Sequence, residues 1–368
     1  MSFLAEAAVP VLSAVLNAAE TTTGVVGPLT EITQRAASVV WDTAAANIPR
    51  DLKWPAILLT LSIGTLIFLV RKGHGARNAD GQERKTSLFN FLLPKDIYTH
   101  ISARVDIWLW VIERILRPLW AVTLFATVGP VTEQYIIGSL EWVFGATPAL
   151  QINYAWMLWY SLCTLLLYDL VFYAIHYTMH KVPACWAIHK VHHSAEVLTP
   201  LTRSREHFLA GPIWATGSAF SYGFIGGVFA YLFDGGIVAA TLFNIGFFSL
   251  LFGFNGSFRH YHVQFHYPRW LAKWLQSPAM HHTHHSYLEK HWDTNLAAIT
   301  SIWDRMFGTL YIPEKDEYTP WGIGPETQGE YRTFWQNTTG PFRDWYKMIG
   351  GKSSMAGPVS QDTLIKDQ

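Results

Sequence analysis

Histidine is concentrated in one part of this chain. Fourteen of its 16 histidines lie between His176 and His291, where an even spread over 368 residues would place about five. Their spacing repeats. His176 and His180 are four apart, which on a helix puts both on one face. His189, His192 and His193 follow at i, i+3 and i+4, within about 100° of helical arc; a strand would turn His192 away from the other two. His281, His284 and His285 repeat that triplet. His262 and His266 repeat the four-residue pair, with His260 just before them. Neutral imidazole is the commonest ligand for first-row transition metals. The pairs and triplets offer about ten ring nitrogens, whereas one ion takes roughly four to six, so the pattern points to two metals held wholly or nearly wholly by histidine. Cys163 and Cys185 sit in or beside apolar sequence. Neither a disulfide scaffold nor a cysteine metal site is expected, and no Glu-x-x-His pair of the soluble di-iron bundles is present.

The segments that must carry these residues are apolar. Half of the chain is hydrophobic, only 15% is charged, and Lys+Arg balance Asp+Glu at 27 each. An ordinary soluble domain has about 25% charged residues, so a soluble enzyme, a disordered chain and a coiled coil are disfavoured. The zero net charge gives no reason to expect a nucleic-acid partner. Five apolar stretches stand out: 54–70, about 107–138, 152–175, 208–233 and 235–257. Most are long enough to cross a bilayer, which takes roughly 20 residues. The last two, separated by Asp234, read as a helical hairpin; the second reads as starting with an interfacial amphipathic helix. Seven Lys/Arg between Arg71 and Arg104, against none between Val131 and Leu158, place the first loop in the cytoplasm. Counting forward, both histidine-rich regions fall on that same side.

The expected fold is therefore an all-α integral membrane protein with about four to five transmembrane helices and a cytosolic helical cap holding a histidine-rich dimetal site. The expected divisions are an N-terminal amphipathic surface segment (1–52), a first transmembrane helix and cytoplasmic loop (53–104), a catalytic domain (105–315) and a C-terminal cytoplasmic extension ending in a disordered tail (316–368). The N-terminus has no Lys or Arg before its apolar run, which argues against a cleaved signal peptide.

More than the histidines has a familiar order. His189-Lys-Val-His-His-Ser-Ala-Glu-Val-Leu-Thr-Pro-Leu-Thr202, then Arg205-Glu-His207, then Ser277-Pro-Ala-Met-His-His-Thr-His-His-Ser286 and Trp303-Asp-Arg-Met-Phe-Gly-Thr309 together resemble the fatty acid hydroxylase/sterol desaturase superfamily. The resemblance covers roughly residues 105–315. It implies a membrane-bound non-haem di-iron oxygenase that hydroxylates or desaturates a lipid, sterol-like or fatty acyl, with O2 as cosubstrate. It implies two iron ions, with zinc an alternative in purified protein, and makes His176, His180, His189, His192, His193, His281, His284 and His285 catalytic metal ligands, with His260, His262 and His266 as further ligands. One departure is plain: Asp293-Thr-Asn295-Leu-Ala stands where the family often has Asp-x-Asn-aromatic-Gly.

Around the ligands, Asp169 lies two helical turns before His176. A carboxylate in an apolar span is costly and usually faces protein interior, so Asp169 is expected to accept an N–H from a ligand histidine. Asp293, Asn295 and His207 are expected in similar supporting roles, and Asp304 with Arg305 as a structural ion pair. No Gly-x-Gly-x-x-Gly element or fused cytochrome domain is visible, so electrons are expected from an external ferredoxin or cytochrome-type donor. The C-terminal Lys-Asp-Gln lacks an endoplasmic-reticulum retrieval signal, which favours a bacterial inner membrane with the histidines facing the cytoplasm. Two other classes compete: a divalent-metal transporter, whose histidines would sit inside the spans, and a non-catalytic member that binds lipid or metal.

Overall fold

A computed structural model describes residues 54–72, 85–234, 237–242, 245–246, 258–315 and 317–350. The segment 1–52 and the tail beyond 350 lie outside the described residues. Eight helices matter here: α1 (Trp54–Val70), α2 (Ile101–Phe144), α3 (Tyr154–Lys181), α4 (Pro183–His193), α5 (Ala210–Phe233), α6 (Pro278–His284), α7 (Ile302–Phe307) and α8 (Phe334–Ile349). Among the described residues only α2 and α3 are long and apolar enough, by length and composition, to cross a membrane. That is fewer than the four to five spans expected from the apolar runs.

The second apolar stretch is one continuous helix of 44 residues. At 1.5 Å per residue it is about 66 Å long, roughly twice a bilayer's hydrocarbon thickness. His100 caps its start by accepting from the Ser102 N–H, and Gly145, at φ 85°, ends it. Its first turns are not interfacial. Ser102, Ala103, Val105, Asp106 and Leu109 are buried, with Val105 and Leu109 packed against Val191 of α4 and Tyr331. The rest of α2 exposes Trp108, Ile115, Leu119 and Phe125, as a lipid-facing helix does.

Of the helical hairpin expected over 208–257, the first arm is helical, and most of the second lies outside the described residues. α5 stops at Asp234, which adopts a left-handed conformation and bonds back to Ala230. In the described part of the fifth stretch no residue is helical, and Thr241 pairs with Gly246 and Leu242 with Ile245 as short strands. Uniformly apolar runs carry no periodicity that separates a helix from extended chain, so composition alone could not decide this.

α5 crosses α2 very closely. A Cβ on Gly223 would lie 2.3 Å from the Gly129 carbonyl oxygen, and one on Gly227 would lie 2.7 Å from that of Glu133. Small residues four apart let two backbones approach in this way, as in membrane helix pairs.

Candidate metal centre

Three helices deliver most of the histidines. α3 ends in His176 and His180. α4 begins at once, with Pro183 in its first turn, where a missing N–H costs nothing, and carries His189, His192 and His193. α6 starts at Ser277, whose side chain accepts from the Met280 N–H, followed by Pro278, a helix-start signal. It carries His281 and His284, with His285 as its C-cap.

The rings gather into two groups. His176, His180, His189, His193 and His284 form one; His192, His260, His281 and His285 form the other. Within each group one ligand atom per residue lies within 4.8 Å of all the others. Each triplet is divided. The i and i+4 members of α4 join the first group and His192 the second, whereas in α6 the i and i+4 members join the second group and His284 the first. The groups adjoin, with His193 and His285 ring centroids 4.8 Å apart and those of His189 and His192 5.3 Å apart.

These contacts suit a cation. Nε2 of His281 lies 2.8 Å from Nε2 of His260, and Nε2 of His285 lies 3.1 and 3.2 Å from the same two atoms. A neutral ring has one N–H and one lone pair, so three converging nitrogens cannot all bond one another. The Nε2 atoms of His180, His193 and His284 are buried without a hydrogen-bond partner. Burial holds His189, His193, His260, His281, His284 and His285 well below the ordinary imidazole pKa, and His192 at about 3. The rings are neutral, as ligands must be.

Outer contacts orient them. His176 Nδ1 donates to the Leu296 carbonyl at 2.6 Å and His284 Nδ1 to that of Thr294 at 2.8 Å. His180 Nδ1 is 3.3 Å from Asp293 Oδ1, and His192 Nδ1 is 3.3 Å from the Arg205 carbonyl. Each such bond leaves the Nε2 lone pair facing inward. His281 is the exception. Arg259 Nη2, a donor, lies 2.9 Å from its Nδ1, where the other rings face an acceptor.

Two carboxylates hold the segment that provides these carbonyls. Asp304 accepts the backbone N–H groups of Leu296 and Ala297. Asp169 accepts those of Ala298, Ile299 and Thr300, and the Thr300 hydroxyl. Five consecutive N–H groups are thereby fixed. Asp169 thus differs from expectation: it touches no ligand histidine and acts on His176 through this backbone. Asp304 does not pair with Arg305: its oxygens also accept from Gln276 and Thr309, and Arg305 lies over the Trp274 ring, 4.6 Å from its centroid. Asn295 contacts no histidine either. It bonds Met280 and Tyr311 backbone. Asp293 and Asn295 both adopt left-handed conformations, φ 54° and 55°, which Asp and Asn tolerate. The turn forms without the family's glycine.

The structure does not bring His262 or His266 into either group. The chain after Tyr261 is not helical, so the four-residue spacing has no helix to align them. His262 Nε2 bonds the Phe91 carbonyl at 2.8 Å. His207 is also apart: Nε2 bonds the Thr338 carbonyl and Nδ1 accepts from Leu209.

Some site residues were not singled out from the sequence. Phe172 and Trp214 stack at 4.6 Å, lying 5.4 and 6.1 Å from the His176 ring. Glu206 Oε1 lies 3.6 Å from His192 Nδ1. Burial pushes this carboxyl up to about 8, against a hydrogen bond with Trp214. Its only sequence signal is an acid placed next to Arg205.

Comparison with known proteins bears on this cluster of histidines at the ends of apolar helices. Residues 161–309, which hold all nine gathered histidines, match the family model for fatty acid hydroxylase, which supports the resemblance to the fatty acid hydroxylase/sterol desaturase superfamily. A relative is alkylglycerol monooxygenase of Xenopus tropicalis, 28% identical over 175 residues, which is 44% of this chain and 32% of that protein. The chain thus spans about a third of the length of this curated relative. No solved structure matches.

Proposed function

We propose that this protein is a membrane-bound non-haem di-iron oxygenase that inserts oxygen into, or desaturates, a lipid C–H bond, using O2 and electrons from an external ferredoxin or cytochrome-type donor. The observation that carries this is the division of nine histidines, eight of them buried, into two adjoining groups inside the family-matched segment. His176, His180, His189, His193 and His284 would hold one ion; His192, His260, His281 and His285 would hold the other. Iron, when bound, supplies the redox chemistry that activates O2 and breaks an unactivated C–H bond.

The chain's own residues do the rest. The Leu296 and Thr294 carbonyls keep the ring protons of His176 and His284 on the outer nitrogens. Phe172 and Trp214 form an apolar wall beside His176, where a hydrocarbon segment packs and water is displaced. Glu206, whose carboxyl burial pushes up, lies beside His192 where it can take up or give a proton. In a hydroxylation one oxygen atom enters the C–H bond and the other leaves as water, consuming two electrons and two protons. The loop charges favour a cytoplasmic position for the site.

The test is reconstitution with ferrous iron, a reducing partner and candidate lipids under 18O2. An alkylglycerol comes first, given the relative's name; fatty acyl and sterol-like lipids follow. Incorporated 18O identifies a hydroxylase, and loss of two hydrogens a desaturase. No O2-dependent product from any of these lipids, with iron bound and the donor oxidised only at its background rate, would count against the reading.

A further inference from the structure

α8 lies beyond the family-matched segment and is built inside out. The face it buries is polar or small: Asn337, Gly340, Pro341 and Asp344. Asn337 bonds Ser194 at 2.8 Å and the Tyr331 carbonyl at 2.6 Å. Asp344 takes Lys190 at 2.5 Å and the Tyr331 hydroxyl at 2.8 Å. Gly340 sits so close to the Tyr331 ring that a Cβ would meet it at 2.7 Å. The opposite face exposes Trp335 (72%), Phe342 (45%), Tyr346 (79%) and Ile349 (88%). At 100° per residue these four fall within about 60° of arc. A soluble protein rarely leaves such a stripe in water.

We propose that this stripe lies in the bilayer interface and seats the metal-bearing helix α4 on the membrane. Position supports it. Phe342 packs against Phe208, with ring centroids 6.2 Å apart, and Trp345 packs against the cluster of Met179, Ile188 and Ala210, so the stripe runs into the first turn of apolar α5. Composition supports it as well. Trp and Tyr favour the headgroup level. The stripe contains no charge, whereas Arg343 and Lys347 flank it, both bonded to Glu330; apolar face and basic edge are the pattern of an interfacial helix. α8 also grips α4 directly, through Lys190–Asp344 and the Trp345 indole N–H to the Ala184 carbonyl. The depth of α8 therefore sets the height of His189, His192 and His193 relative to the lipid.

The full chain tests this in phosphatidylcholine/phosphatidylglycerol nanodiscs carrying a lipid spin-labelled near its headgroup. Single cysteines at Trp335, Tyr346 and Ile349, in a Cys163→Ala/Cys185→Ala background, carry a fluorophore; Glu314→Cys, in the exposed Arg269–Glu314 pair, is the comparison. Quenching by the spin-labelled lipid about two-fold or more above Glu314→Cys, with shielding from iodide, is expected of an interfacial helix. Iodide access equal to that of Glu314→Cys would overturn the proposal. So would shielding from both quenchers with disulfide-linked dimers, which would assign the face to a second copy. If the background variant does not purify as a single species, wild-type protein in vesicles with a photoactivatable phosphatidylcholine replaces it. Lipid adducts on 334–349 are expected, and adducts on α2 and α3 without any there would contradict it. Neither measurement needs metal or turnover, so its outcome is independent of the assigned reaction.

Discussion

At the scale of single residues, the two histidine groups are unequal. One has five histidines and the other four, and in the smaller one Arg259 faces the Nδ1 of His281, where a metal ligand ordinarily donates a proton outward. Stepwise chelation should therefore remove one ion first, from the group of His192, His260, His281 and His285, leaving one ion per chain; simultaneous loss of both would contradict this ranking. Asp169 acts through backbone. Asp169→Asn removes one of two acceptor oxygens that serve four donors, and each buried donor left unpaired costs about 1–3 kcal/mol. A lower melting temperature in detergent and reduced metal content are expected, and unchanged values would show that 298–300 is held by other means. Eight of the nine gathered histidines were legible as helical pairs and triplets. His260 was legible only as a neighbour of the pair His262 and His266, whose spacing matched that of His176 and His180 but had no helix under it. The division of each triplet between two ions was not legible, because spacing gives a shared face and not the partner across it. Backbone acceptors such as Leu296 and Thr294 leave no trace in side-chain identity.

At the scale of elements, the α2–α5 crossing rests on glycines that a hydropathy reading passes over. Gly223→Val should push the helices apart at Gly129, seen as aggregation or a lower melting temperature in detergent. Gly138→Val, in the same pair of helices but with nothing within 4 Å of where a Cβ would lie, should show only the small cost of a β-branched residue. Equal effects would mean that helix propensity and not close packing is responsible. The long apolar runs were visible as such, and α3 and α5 correspond to two of them. The assumption that every such run is helical along its whole length does not hold for the described residues after Asp234, where 241–242 pair with 245–246, and nothing in a run of Gly, Val, Ala, Phe and Leu marks the change.

At the scale of the whole molecule, one buried ion pair joins parts far apart in sequence. Arg205 is bonded to Asp106 of α2 at 2.8 Å, to the Val191 carbonyl of α4 at 3.0 Å, and to Asn337 of α8 at 3.4 Å. Asp106 also accepts from Thr202 at 2.6 Å. Removing one partner of a buried pair costs about 3–5 kcal/mol because a charge is stranded, whereas replacing both with apolar groups is often far milder. Arg205→Met and Asp106→Leu should each lower stability sharply, and the double substitution should recover much of the loss; strictly additive losses would mean that the two act separately. Arg205 was visible in the sequence as part of the Arg-x-His element, but its partner, 99 residues earlier, was not, since no periodicity links them.

The central claim is two ions in two histidine groups, and metal counting after group-specific removal tests it most directly. Protein purified in detergent should carry two metal ions per chain. His180→Ala/His284→Ala should carry one, in the group of His281 and His285, and His281→Ala/His285→Ala should carry one, in the other group. One ion or none in the parent protein, or a count unchanged by either double substitution, would contradict the account and return the histidines to a structural role.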